Sequence, residues 1–335
     1  MSGEEMTLRQ FGKINSISLE KWKNENLIWR SLAILTFVVA LIEVYVLPLK
    51  QEVDLKAYTG FLSLMILYLI IQNVVAIKNE RVKAKVKHNA QFYTAIPLLL
   101  IIWDLLTTKS NTLPLPFFPS ASQILQVIVE DYQTLLISTM HSLRLLVLGF
   151  IIGTVLGIVI GILIGWYRTW NYWVFPVVKI MGVIPTTAWI PIVMFIFPSS
   201  FYAQVFLIVI CVCFPVAFMT SSGVAGLPKS YFEAARTLGA DEKFLIYKVA
   251  IPGAMPSIFT GIYTATGISF ATLVVSEMIG AKAGLGWYIT WAKSWSNYAK
   301  VYASIVIMAI IFSLVMAVIY KIRDAILVWQ RGLVK

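Results

Sequence analysis

Charged side chains within apolar stretches are where chemistry would concentrate, and this chain has five: Glu43, Asp104, Arg144, Lys179 and Glu277. A charge at membrane depth is costly and normally faces a cavity or a partner. Arg144 and Glu277 belong near one membrane face, where they can pair with each other or line a route. Thr186, Thr187 and Trp189 follow Pro185, and a proline inside a span frees backbone carbonyls, so these three are further pathway candidates. No enzyme constellation emerges. His88 and His141 are isolated in sequence, and Cys211 and Cys213 sit in an apolar run with no histidine or second cysteine pair nearby, so neither a disulfide framework nor a zinc site is expected. No catalytic, metal-binding or cofactor-binding residue is assigned.

The elements that must position these groups are long and apolar. Of the 335 residues, 59% are hydrophobic and only 13% charged, and the mean hydropathy is +0.82. A soluble domain carries roughly 25% charged residues, so that class is excluded. About 20 residues cross a bilayer as a helix, and eight such segments are expected: Ser31 to Leu49, Ala57 to Ile77, Phe92 to Thr107, Leu145 to Tyr167, Trp173 to Phe197, Tyr202 to Ser222, Pro256 to Gly280 and Val301 to Tyr320. The turn at Phe197-Pro198-Ser199-Ser200 divides an uncharged run too long for one helix. Pro-rich 113–120 leads into a short amphipathic helix over Ala121 to Leu136, capped by Ser120 or Ser122. Met1 to Arg30 lacks the short apolar core and small-residue site of a cleaved signal peptide.

The net charge of +11 comes from 27 basic and 16 acidic residues lying between the apolar runs, which points to a membrane surface and away from nucleic acid. With a cytoplasmic N-terminus, 19 of the 27 Lys and Arg residues fall inside and six outside, so both termini are expected in the cytoplasm. The basic connector Lys78 to Lys87 suggests a boundary: 1–90 as N-terminus, two accessory helices and connector, and 91–335 as the core.

Gly149, Gly153, Gly157, Gly161 and Gly165 recur at a constant spacing of four in the fourth span. They form one stripe, which admits a neighbouring helix at close range. Between spans six and seven, Pro228 and Ser230 start a short helix whose Ala234 and Ala235 keep one face flat. Gly239 ends it with a residue tolerant of positive φ. A second short helix with a Phe244, Leu245 and Val249 face leads to Pro252. Trp287, Trp291 and Trp295 recur every four residues as an interfacial aromatic stripe. Lys282, Lys293 and Lys300 on the same segment would draw in an anion.

Glu233, Ala234, Ala235, Gly239, Val249, Ile251 and Pro252 resemble the signature of the membrane subunits of binding-protein-dependent ABC importers. Ser142-Leu-Arg144 with the glycine ladder, Ile184-Pro185 to Ile190-Pro191, and Glu277-Met278 followed by Gly284-Leu285-Gly286 are similar to the taurine, sulfonate, nitrate and bicarbonate branch. The resemblance implies an all-α permease of about eight spans, two extra N-terminal helices preceding a six-helix core with a coupling loop at 226–252, in a prokaryotic cell membrane. It also implies a homodimer, an extracytoplasmic solute-binding protein, and a cytoplasmic ATP-binding subunit docked on Glu233 to Gly239. The solute would be a small anion such as a sulfonate, nitrate or bicarbonate, or a vitamin or its precursor. The chain itself is expected to be no enzyme: Gly12-Lys13 is followed by Ile14, so no phosphate-binding loop is formed, and ATP would be used by the partner. The competing expectation is an ion- or proton-coupled secondary transporter with Glu277 or Asp104 titrating. It would need inverted repeats with paired broken helices, which the sequence does not show.

Overall fold

The computed structural model describes residues 31–50 and 53–329; Met1 to Arg30, including its signal-peptide reading and its basic residues, lies outside them. The described chain is helical, in two compact units that divide between Glu130 and Asp131.

In the first unit, α1 (Ser31–Val46) and α2 (Lys56–Lys78) are followed by α3 (Glu80–Asp104), a π-turn (Leu105–Lys109) and α4 (Ala121–Glu130). Ala33, Phe37, Ala40 and Val44 lie three or four residues apart on α1 and are buried with Tyr58, Leu62 and Leu69 of α2; that period is one helix face. Only Asn79 separates α2 from α3, and the Tyr68 and Tyr93 rings meet edge to face across the hairpin, 6.5 Å apart. The basic connector is therefore the turn of a hairpin and the opening of α3. The third span packs with the first two, and the unit boundary falls at Glu130–Asp131, whereas composition placed it at 90/91. The amphipathic helix is also shorter than its Ala121 to Leu136 reading, ending at Glu130. Its start is a capping box: Ser120 Oγ accepts from Gln123 N at 3.2 Å and Gln123 Oε1 accepts from Ser120 N at 3.0 Å.

The second unit begins with α5 (Tyr132–Trp166). At 1.5 Å per residue its 35 residues reach about 52 Å, well beyond a hydrocarbon core of about 30 Å. Next come α6 (Arg168–Trp173), α7 (Phe175–Val183), a 3₁₀ turn (Thr186–Trp189), α8 (Ile190–Ile196) and α9 (Ser200–Ala225). Then follow α10 (Lys229–Thr237), α11 (Glu242–Phe244), α12 (Ile251–Gly280), α13 (Leu285–Ser294) and α14 (Tyr298–Ile326).

Register within this unit settles which way each segment runs. A Cβ placed on Gly149 would sit 2.6 Å from Ile208 Cβ, on Gly153 2.8 Å from Val212 Cβ, on Gly157 2.8 Å from Val216 Cβ, on Gly161 2.5 Å from Thr220 Cβ, and on Gly165 2.7 Å from Val224 Cβ. Both lists ascend in steps of four, so α5 and α9 are parallel, glycine against branched side chain along the whole interface. Two parallel neighbours require the chain between them to return across the full length of the bundle. Residues 167–199 are therefore one crossing, although α6–α7 and the 186–196 segment are bent by 93°; the Trp173 to Phe197 span is a broken helix and not a continuous one. Gln204 Nε2 bonds Ser276 O, while Gly223 faces Ser257, so α12 is antiparallel to α9. Phe270 meets Phe312 and Tyr263 meets Tyr320, so α14 is antiparallel to α12. The seventh span is longer than its Pro256 to Gly280 reading. α11, a π-turn (Leu245–Ala250) and α12 join into one segment over Glu242–Gly280, with Pro252 directly after the π-turn.

Candidate functional site

Three places in the second unit hold the chemistry-bearing residues: one end of the bundle, its middle, and the opposite end.

At one end, α10 bridges α9 and the α11–α12 segment. Gly239 has φ +84°, and with it the helix closes in a Schellman arrangement: Ala240 N donates to Ala235 O at 3.1 Å and Gly239 N to Arg236 O at 2.9 Å. Asp241 then caps the next turn, accepting from Phe244 N at 2.8 Å. The segment is anchored by Phe232, whose ring meets Trp166 at 5.5 Å, and by Leu227, which covers Gly253 so closely that a Cβ there would be 2.8 Å from Leu227 Cδ2. The Arg236–Glu242 ion pair at 2.9 Å is exposed on both sides, a geometry of little energetic weight. Glu233 and Ala234 are exposed and Ala235 half-buried. Apolar residues also face outward here: Leu238 is 88% exposed, beside Tyr231, Phe244 and Tyr247. Phe244 thus parts from Leu245, which is fully buried.

In the middle, Ile184 is extended with ψ 122°, because a residue preceding proline is disfavoured in the α region, and Pro185 continues the extended backbone with ψ 126°. Pro191 does not break α8, since it lies in its first turn. Thr186 is half-buried and Thr187 exposed, while Trp189 packs on the Ile190, Val193 and Leu207 cluster. Thr186 lines a cavity of about 200 Å³ with Pro185, Cys211, Phe214 and Ile268. Cys211 and Phe214 lie halfway along α9, so the break stands at mid-depth. Unwound backbone at such depth is tolerated where it lines a cavity or is buried in protein. Lys179 is exposed on α7. Cys211 and Cys213 are buried free thiols, and no metal-binding group of His, Cys, Asp or Glu occurs among the described residues.

At the far end, Glu277 is 1% exposed and its carboxylate is enclosed. Ser142 Oγ donates to Oε1 at 2.7 Å, Gly286 N donates to Oε2 at 2.9 Å, and Leu285 N donates to Ser142 Oγ at 2.9 Å. Gly284 has φ +123°, and a Cβ on it would overlap the carboxylate; the Gly-Leu-Gly turn exists to let backbone approach Glu277. Arg144 does not pair with Glu277: its guanidinium lies 5.0 Å over the Phe201 ring. A second clasp holds the other end of α13. Tyr288 Oη donates to Asp131 Oδ2 at 2.6 Å, and Lys300 pairs with the same oxygen. Burial works to raise the Asp131 pKa, but the hydrogen bonds from Lys300 and Tyr288 outweigh it and hold the carboxyl below its ordinary range. Lys300 is thereby engaged, stacked also 5.1 Å over Trp291, while Lys282 and Lys293 remain exposed. Trp287 and Trp291 stack at 6.2 Å, and Trp295 is 73% exposed. Sequence reasoning missed Asp131 and Tyr288. Ser142 appeared only as part of a motif, and nothing local signals its bond to a residue 135 positions away.

These features define a polytopic α-helical membrane protein with a broken mid-depth segment and an anchored, outward-facing helix at one end. Residues 153–328 match the family of binding-protein-dependent transport system inner membrane components, and the chain belongs to that family. It is an ABC permease of the branch that includes the nitrate, bicarbonate and taurine permeases. A protein of Methanocaldococcus jannaschii named as an ABC transporter permease is 31% identical over 57% of this chain and 74% of its own length. The nitrate import permease of Synechococcus elongatus is 25% identical over 61% and 77% respectively. The formylaminopyrimidine transport permease of Halalkalibacterium halodurans is 26% identical over 70% and 93%. Among solved structures, an inward-facing methionine ABC transporter is similar with a TM-score of 0.48 and 23% identity, covering 59% of this chain and 98% of that one.

Proposed function

We propose that the chain is the permease subunit of an ATP-driven importer, working as a homodimer with two cytoplasmic ATP-binding subunits and an extracytoplasmic solute-binding protein. The carrying observation is α10: a short helix closed by Gly239, pinned by Phe232 and Leu227, with Leu238 and Tyr231 turned outward. An ATPase that moved this helix would move α9 and α12 with it. The excess of basic residues favours the α10 end and both termini in the cytoplasm of a prokaryotic cell.

Gly239→Val tests the coupling. A Cβ on Gly239 meets nothing within 4 Å, so the change acts through backbone strain alone, about 1–2 kcal/mol. Uptake by membrane vesicles should fall about five- to thirtyfold for that cost while the complex still hydrolyses ATP; unchanged uptake would remove α10 from the coupling role. Gentle purification of the tagged chain should also bring down an ATP-binding subunit.

The pathway is lined at the break, with Thr186 and Thr187 offering hydroxyls at mid-depth and Glu277 acting as a clasp outside it. Thr187→Ala should lower uptake severalfold at normal membrane abundance, and full uptake would move the pathway elsewhere. The solute is a small anion such as a sulfonate, nitrate or bicarbonate, favoured by exposed Lys282 and Lys293, or a vitamin or its precursor.

A further inference from the structure

The mid-depth break leaves main-chain acceptors unused by its own helices. The last four carbonyls of a helix have no intrahelical donor, and in α7 these belong to Ile180, Met181, Gly182 and Val183. Ile184 N closes no cap bond, Pro185 has no N–H to give, and among the described residues no turn bond reaches any of the four. Pro215, inside α9, likewise takes the helical N–H partner from the Cys211 carbonyl four residues back. The two sets meet: Met181, Gly182, Val183, Pro185, Cys211 and Pro215 all line the cavity of about 200 Å³.

Among the described residues the lining contains no Lys, Arg or His. Lys179, on the preceding turn of α7, is exposed and outside it, as are Lys282 and Lys293 at the far end of the unit. Thr186 adds a hydroxyl that can donate or accept, and Phe214 and Ile268 add apolar wall. Carbonyl oxygens at a helix C-terminus are the negative end of its dipole. A desolvated anion there meets like charge with no cation to offset it, and burying a charge unpaired is costly. An N–H donor is what such a wall accepts. The volume is the liquid share of about seven waters, room for one small ring.

We propose, resting on the permease reading, that this cavity holds the solute in transit and that the solute is an uncharged single ring bearing N–H donors, bound by the freed carbonyls of α7 and of Cys211. Of the two solute classes this selects the uncharged one over nitrate, bicarbonate or a sulfonate. The prolines then serve recognition as well as shape, since each withholds an N–H that would otherwise occupy an acceptor.

The test follows a thiol placed in the cavity. Thr186→Cys, combined with Cys211→Ser and Cys213→Ser, is purified gently with its partners into phosphatidylcholine nanodiscs and labelled with the small uncharged reagent methyl methanethiosulfonate. Cytosine, uncharged at neutral pH and bearing N–H donors, should slow labelling severalfold. 1,3-Dimethyluracil, of similar shape but without N–H, should not, nor should sodium nitrate or sodium methanesulfonate. Pro215→Ala gives the Cys211 carbonyl an N–H of its own and should weaken cytosine protection about two- to tenfold, the weight of one hydrogen bond. Gly182→Ala places a Cβ 3.8 Å from Phe214 Cβ, an ordinary contact that narrows the cavity, and should weaken protection as well. Inert cytosine, equal protection by 1,3-dimethyluracil, or protection by either sodium salt would overturn the proposal. The ATP-binding subunit is scored in the same preparation. With that subunit present and cytosine inert, the solute class fails and the permease reading stands; with it absent and cytosine protecting, the solute class stands and the permease reading fails.

Discussion

Gly161→Val should prevent assembly of the second unit. A Cβ at this position would lie 2.5 Å from Thr220 Cβ and 2.6 Å from the backbone carbonyl of Ala217, and a carbonyl in a helix cannot rotate aside. Relief requires α5 and α9 to separate, which would also open the contacts at Gly157 and Gly165 on either side. Overpacking in a well-filled interior costs about 1–3 kcal/mol, and here the clash is with rigid groups on both counts, so the top of that range is the floor. The helices gain nothing from moving apart in lipid, because tight van der Waals packing is what associates them. Membrane-inserted chain should accumulate at a fraction of the wild-type level, aggregate on detergent extraction and show no uptake. Gly60→Val is the control: no atom lies within 4 Å of a Cβ there, and abundance should be unchanged. Wild-type abundance of Gly161→Val would mean that α5 and α9 pack in another register.

Glu277→Ala carries the second large effect. Truncation leaves Gly286 N with no acceptor, removes the acceptor of Ser142 Oγ, and opens space beneath the Gly284–Gly286 turn. An unsatisfied buried donor costs about 1–3 kcal/mol, and the lost side-chain volume adds to it. The turn between α12 and α13 should loosen, and uptake should drop by more than tenfold, about 1.4 kcal/mol or more, even where some folded protein survives. Glu277→Gln keeps an oxygen acceptor and the side-chain volume, so it should retain most of the folded protein and much of the uptake. That contrast separates a clasp from a charge used in transport: a group needed for its ionisation would fail equally in both variants.

Much of this architecture was readable from spacing. The apolar runs, the glycine stripe, the Gly239 terminator and the turn at Phe197–Ser200 are local patterns, because helix period, backbone freedom and proline act within a few residues. Ile184-Pro185 carried the signal of a break, yet an apolar composition on both sides made one continuous span look equally natural. The partner of the stripe, the orientation of α5 and α9, and the enclosure of Glu277 by Ser142 depend on residues about 60 to 135 positions apart, and no local pattern encodes them. The basic connector misled for a related reason: positive charge marks where a chain leaves the bilayer, and it is silent on which helices then pack together.

The glycine ladder constrains how this molecule can move. Each glycine is seated between a branched side chain and a main-chain carbonyl, and the seats repeat every four residues along both helices. The next matching register lies about 6 Å away, four residues at 1.5 Å each, so small axial shifts meet steric walls while a full step would tear the ends from their partners. The pair behaves as a toothed bar and not as a greased rod. Shape change in the second unit must then be taken up where teeth are missing, at the bend of 93° beside Pro185, which makes that unwound joint the part of the unit free to comply.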